Sequence, residues 1–105
     1  MAFYRASSGG GGTALNPQLI VNTTISGSKS SHPYTIDLTK QYIVSVAMYY
    51  NNGNNNYGVA SYINKGVLIN LQSDGYISDS LSGNTYTVKI GGYSYFCGIR
   101  IIQLD

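Results

Sequence analysis

The side chains able to do chemistry are few: one His (His32), one Cys (Cys97) and four aspartates, Asp37, Asp74, Asp79 and Asp105, with no Glu in 105 residues. Nucleophilic catalysis needs a nucleophile beside a base, and glycoside hydrolysis needs paired carboxylates. His32 lies in the polar stretch GSKSSHP, whereas Cys97 lies in the apolar run YFCGI. That contrast argues against a Cys-His pair and predicts a buried structural thiol. A single Cys also excludes an intramolecular disulfide. One His and one Cys cannot complete a zinc set. Asp74 and Asp79 share one polar connection and could offer two oxygens to a weak calcium site, but aspartates beside Gly and Ser ordinarily form turns. The Gly9 to Gly12 run lacks the Lys-Ser/Thr that a phosphate loop requires. The expectation is a chain that is not an enzyme, with no catalytic residue, metal or cofactor.

Recognition is the remaining chemistry. Charged residues are only 10% of the chain, and the net charge of +2 comes from scattered basic side chains. Lys29, Lys40, Lys65, Lys89 and Arg100 fall on different predicted strands and loops, where they discourage edge-to-edge aggregation. Nucleic acid, which wants basic residues clustered on one face, is therefore not an expected partner. Eleven tyrosines and no tryptophan point instead to contact surfaces, since Tyr joins a large ring to a polar tip. They concentrate with asparagine in one place: Tyr49, Tyr50, Asn51, Asn52, Asn54, Asn55, Asn56 and Tyr57. Asn amides can both donate to and accept from sugar hydroxyls, and Tyr rings can stack on sugar faces. Ligand recognition, a contact between subunits and a plain solvated loop all remain open for this tip.

The elements that would hold the tip are strands. Gln41 to Leu71 reads QYIVSVAMYY, NNGNNN, YGVASYI, NKG, VLINL, which predicts a meander of three antiparallel strands. Tyr42, Val44, Val46, Met48 and Tyr50 share one face of the first run, and Ile43, Ser45, Ala47 and Tyr49 the other. Both faces are apolar enough for an interior strand covered on both sides. Asn64-Lys65-Gly66 is a tight hairpin loop with Gly at positive φ, and Val67, Ile69 and Leu71 form the next inward face. Upstream, Asn16-Pro17 opens the folded part, Gln18 to Ser26 is a strand, Gly27 to Pro33 a polar loop, and Tyr34, Ile36 and Leu38 alternate as a half-buried strand. Downstream, Gln72 to Gly83 is a polar connection pinned by Tyr76, Ile77 and Leu81. Thr85 to Ile90 is a strand, Gly91-Gly92 a sharp hairpin, and Tyr93 to Leu104 the closing strand. Some seven or eight strands with turn signals every 8 to 12 residues, roughly, predict an all-β antiparallel sandwich or jelly-roll-like domain over 14–105, with no long helix.

Residues 1–13 form a separate arm. Phe3, Tyr4 and Arg5 stand on a tether made flexible by four glycines. The arm is either a disordered start or an anchoring peptide that docks on another subunit. No apolar run has signal-peptide or membrane-spanning length. The expectation is synthesis in a host cytoplasm and, for work outside a cell, exit within a larger particle.

The head MAFYRASSGGGG followed by a charge-poor β domain rich in Tyr, Asn, Ser and Gly resembles small virion proteins of tailed bacteriophages and prophages: tail-fibre tips, receptor-binding domains and head decoration proteins. The resemblance implies a structural protein held to other virion proteins by its N-terminal arm, displaying a β domain outward and forming a homo-oligomer, often a trimer. It implies adhesion to a host-surface glycan, or a head-stabilising role without a ligand. A free lectin-like carbohydrate-binding module is the alternative from another class.

Overall fold

A computed structural model describes residues 15–26, 29–49, 56–72, 76–91 and 96–105. Alternating β-branched and polar residues form eight strands: β1 (Gln18–Ser26), β2 (Ser30–Thr35), β3 (Gln41–Tyr49), β4 (Asn56–Asn64), β5 (Val67–Gln72), β6 (Ile77–Ser82), β7 (Thr85–Ile90) and β8 (Phe96–Gln103). Among the described residues there is no helix. All pairings are antiparallel, in a five-stranded sheet ordered β1-β8-β3-β4-β5 and a three-stranded sheet ordered β2-β7-β6. The architecture is thus the expected all-β pair of sheets, and β1 has the expected bounds.

The core lies between the sheets. Tyr42, Val44, Val46 and Met48 of β3, Val59 and Ile63 of β4, and Cys97, Ile99 and Ile101 of β8 pack with Ile77, Tyr86, Val88 and Ile90 from the smaller sheet. Strict alternation along β3, the middle strand of the larger sheet, puts every second side chain into this layer.

Four expectations are corrected. First, Val67, Ile69 and Leu71 do not face inward: they are 58%, 41% and 62% exposed, and Leu68 packs on the core instead. The two-residue turn at Lys65 and Gly66 pairs Ile63 with Leu68, and directly opposed residues share a face. Second, Gln72 to Gly83 is not all connection, because Ile77–Ser82 is β6, with Ile77 buried and Leu81 packed on the core. Third, Gly91-Gly92 does not join a hairpin: β7 pairs with β2 and β6, whereas β8 pairs with β1 and β3, so the chain changes sheet there. Fourth, the polar loop before Pro33 is shorter than expected, since β2 begins at Ser30 and holds Pro33 opposite Thr87. Ile36 is buried just beyond β2, and Leu38 sits exposed in the turn that follows.

Each sheet edge carries a device against further pairing. Proline, which cannot donate to a ladder, sits on edge strand β2. β1 has a bulge, because Leu19 opposes Ile102 and Val21 opposes Ile101, leaving Ile20 extra. β5 has another, because Asn70 opposes Ser61 and Gln72 opposes Ala60, leaving Leu71 extra. β6 turns a charge inward, as Asp79 opposes buried Val88.

Candidate functional site

β3 and β4 carry the tyrosine-asparagine tip. Their register runs without a shift from Gln41 opposite Asn64 to Tyr49 opposite Asn56, with Met48 opposite Tyr57. This unbroken ladder is anchored in the core by Val44, Val46, Met48, Val59 and Ile63 and ends at Tyr49 and Asn56. The structure therefore brings the backbones of Tyr49, Asn56 and Tyr57 to one place. Tyr50, Asn51, Asn52, Asn54 and Asn55 lie outside the described residues, as do Phe3, Tyr4 and Arg5 of the arm.

The most developed polar constellation among the described residues was not evident from the sequence. Asp79 on β6 accepts hydrogen bonds from the buried Ser61 hydroxyl of β4 at 2.5 Å and from the Tyr86 phenol of β7 at 2.9 Å, both at Oδ2. The Asn70 amide of β5 donates to Asp79 Oδ1 at 3.4 Å and to Ser61 Oγ at 3.2 Å. Four strands from both sheets thus converge on one carboxylate. Ser61 spends its proton on Asp79 and receives the Asn70 amide, so its oxygen is occupied as both donor and acceptor. Burial first, then the neighbouring Asp79 charge, holds the Tyr86 phenol in its protonated form. The group is a clasp between sheets, with Ser61 locked rather than poised to attack. The two signals in sequence were a Ser alternating between apolar Val59 and Ile63, and an Asp between Ile77 and Leu81. Their meeting required the sheet order.

Several other titratable groups are also tied into the framework. Asp37 closes its turn by accepting from the Thr39 hydroxyl at 2.6 Å and the Thr39 amide at 2.8 Å, and these bonds hold its carboxyl below the ordinary value. The Asp37 amide in turn donates to the Tyr42 phenol oxygen at 2.8 Å. Asp105 accepts the Gln41 amide at 2.9 Å, while Lys40 reaches the Asp105 main-chain oxygen at 3.1 Å. Gln41 also accepts from the Tyr62 phenol. His32 shares a 2.7 Å hydrogen bond with Ser30. Cys97 is free and buried, and burial pushes its thiol up to about 11, so at neutral pH it is neither a thiolate nor accessible. Tyr34 is raised too, by burial and then by Cys97.

Among the described residues no group of three or more His, Cys, Asp or Glu side chains is placed to hold a metal ion, and no helix is long and apolar enough to cross a membrane. Asp74, the other aspartate of the Gln72 to Gly83 stretch, lies outside the described residues. Compared with known proteins, the chain matches no family, no curated protein and no solved structure.

Proposed function

We propose that this chain is a non-enzymatic structural subunit of a tailed-phage virion, held to other virion proteins by residues 1–13 and displaying its β-sandwich outward. The β3–β4 tip is the surface it offers to a host-surface glycan. The observation that supports this reading is the unbroken β3–β4 register, which runs from Gln41 opposite Asn64 to Tyr49 opposite Asn56 on strands anchored in the core. Rigid elements suit recognition because they lower the ordering cost of binding. The use of Asp79 and Asp105 as ties between elements and of Asp37 to close its own turn, rather than as groups aimed into a common space, supports a role without bond making. A head-stabilising role without a ligand is the second reading, favoured by the apolar row that crosses the outer side of the larger sheet from Leu19 to Ile69.

The test has two arms. Deleting residues 1–12 should abolish incorporation into particles while the circular dichroism spectrum keeps its β signature. Normal incorporation of the truncated chain rejects the anchor, and sugar affinity retained by that free domain favours the lectin-like alternative. Replacing residues 51–55 with a short Gly-Ser turn keeps the Tyr49–Asn56 pair and should leave the melting temperature nearly unchanged while lowering host adsorption. Unchanged adsorption removes the tip from the binding surface and leaves the head-stabilising role.

A further inference from the structure

The outward face of the five-stranded sheet is banded by register. One row crosses all five strands: Leu19 of β1 opposes Ile102 of β8, which opposes Ile43 of β3, which opposes Tyr62 of β4, which opposes Ile69 of β5. Every member is a large apolar or aromatic side chain. Leu19 is 53% exposed and Ile69 41%, with the three between them half-buried. The row above is polar, running Asn22, Arg100, Ser45, Ala60 and Gln72, and the next is small, with Thr24, Gly98, Ala47 and Gly58. Arg100 is the only charge at the outward positions of these rows, and its side chain donates to Asn22 at 3.2 Å.

We infer that this face is an interface between copies of this chain, with the Leu19–Ile102–Ile43–Tyr62–Ile69 row as its dry centre. Area decides in favour of a second copy over a small ligand. Five strands at ~4.8 Å, averaging about eight residues at ~3.3 Å, give a face of roughly 630 Å², within the ~600–1,000 Å² per partner of a stable protein interface. The row is also self-complementary. A two-fold axis through Ile43 sets Leu19 of one copy opposite Ile69 of the other and Ile102 opposite Tyr62, so apolar meets apolar along its whole length. With one charge in these described rows of each copy, such packing pairs no block of like charges. The devices on all four edges leave face-to-face packing, not strand addition, as the open route. Gly98 adds an independent observation: among the described residues a Cβ there would find only Thr23 O at 4.0 Å, so no described neighbour demands glycine. A bare backbone in a central strand weakens the sheet unless something approaches it closely from outside.

This inference deepens the reading of the chain as a particle subunit and rests on it, but its test needs no particle. Sedimentation equilibrium of the full chain should give a mass of two copies or a higher multiple. Ile69→Lys should weaken association at least tenfold, because it sets a charge at one end of the apolar row, with an unaltered circular dichroism spectrum. Should Ile69→Lys misfold, Leu19→Lys at the other end of the row reports the same effect. Gly98→Val should weaken association while leaving the monomer at least as resistant to urea. A monomeric wild-type chain at all concentrations overturns the interface yet leaves arm-dependent incorporation untouched. So does an oligomer that all three substitutions leave intact, and so does one that disperses only when residues 1–14 are removed, which would assign assembly to the arm.

Discussion

Ser61 on β4 and Asp79 on β6 meet at 2.5 Å across the gap between the two sheets, hydroxyl to carboxylate. Backbone pairing joins neither strand to the other, so this contact and the Asn70 amide bond to Asp79 tie the small sheet to the large one on this side, while the Tyr86 phenol holds the carboxylate from within the small sheet. Removing the carboxylate strands a buried hydroxyl and a buried phenol at once. Asp79→Ala should therefore cost about 2–3 kcal/mol in urea unfolding, the scale of lost hydrogen bonds to a charged group. The double change with Ser61→Ala should cost less than the sum of the two single ones, by about 1 kcal/mol, because both remove one shared bond. Strict additivity would show that the two residues act independently and that the clasp is misassigned.

Alkali should loosen the fold through groups that burial keeps protonated. Burial pushes Cys97 up to about 11 from an ordinary value of 9.0, and Tyr34 and Tyr86 are both raised above 10.0. Groups whose folded values are raised stabilise the protein fully below their unfolded values and lose that contribution as pH climbs through the folded ones. Stability should then be level up to about pH 8 and fall from pH 9 towards 11, with Cys97 alone supplying on the order of 2 kcal/mol of the loss. Cys97→Ala should lower stability at pH 7 through its cavity while making the decline above pH 9 shallower. An unchanged decline would take the thiol out of the linkage.

What was legible in the sequence was period, and what was not was phase and partnership. β1 and the β3–β4–β5 meander showed themselves through alternation and strong turn residues. In β5, however, Val67, Leu68, Ile69 and Leu71 are apolar at both phases, so pattern alone could not choose a face; the two-residue turn chose it. β6 reads ISDSLS, four polar residues of six, and hides because one inward position is the clasp carboxylate. The β7-to-β8 crossing looked like a hairpin because two glycines end β7, yet glycine marks a reversal without saying which sheet receives the chain. The Asp79 clasp was beyond reach because its members are contributed by four strands whose neighbours only the sheet order defines.

The phase of β5 can be checked energetically. Leu68 packs on the core, whereas Ile69 stands on the outer face. Leu68→Ala should cost about 2 kcal/mol in the monomer and Ile69→Ala under about 0.5 kcal/mol, following the difference between core and surface truncation. The measurement is urea unfolding at protein concentrations low enough to suppress association. Equal costs would mean that β5 does not set Leu68 inward opposite Ile63.

The β4–β5 turn stores a small, removable strain. Lys65 takes φ 49° and Gly66 φ 87°, the pair of positive values that a two-residue hairpin of matching twist demands. Glycine fits the second position freely; lysine at the first carries a Cβ into the left-handed region, at a cost of roughly 1 kcal/mol. What holds it there is the register on either side, together with the Lys65 amide, which donates to the Lys40 carbonyl at 3.0 Å and is kept by any residue but proline. Lys65→Asn preserves that bond and relieves the strain, because asparagine tolerates this backbone and makes Asn-Gly, the sequence most suited to such turns. It should raise stability by about 0.5–1 kcal/mol. Gly66→Ala should lower it by at least as much, since its Cβ meets only Leu38 at 3.6 Å and the penalty comes from φ rather than crowding. Thermal unfolding of the two variants beside the wild type decides the matter: a Lys65→Asn protein that melts no higher, with Gly66→Ala unharmed, would mean the turn adopts another conformation.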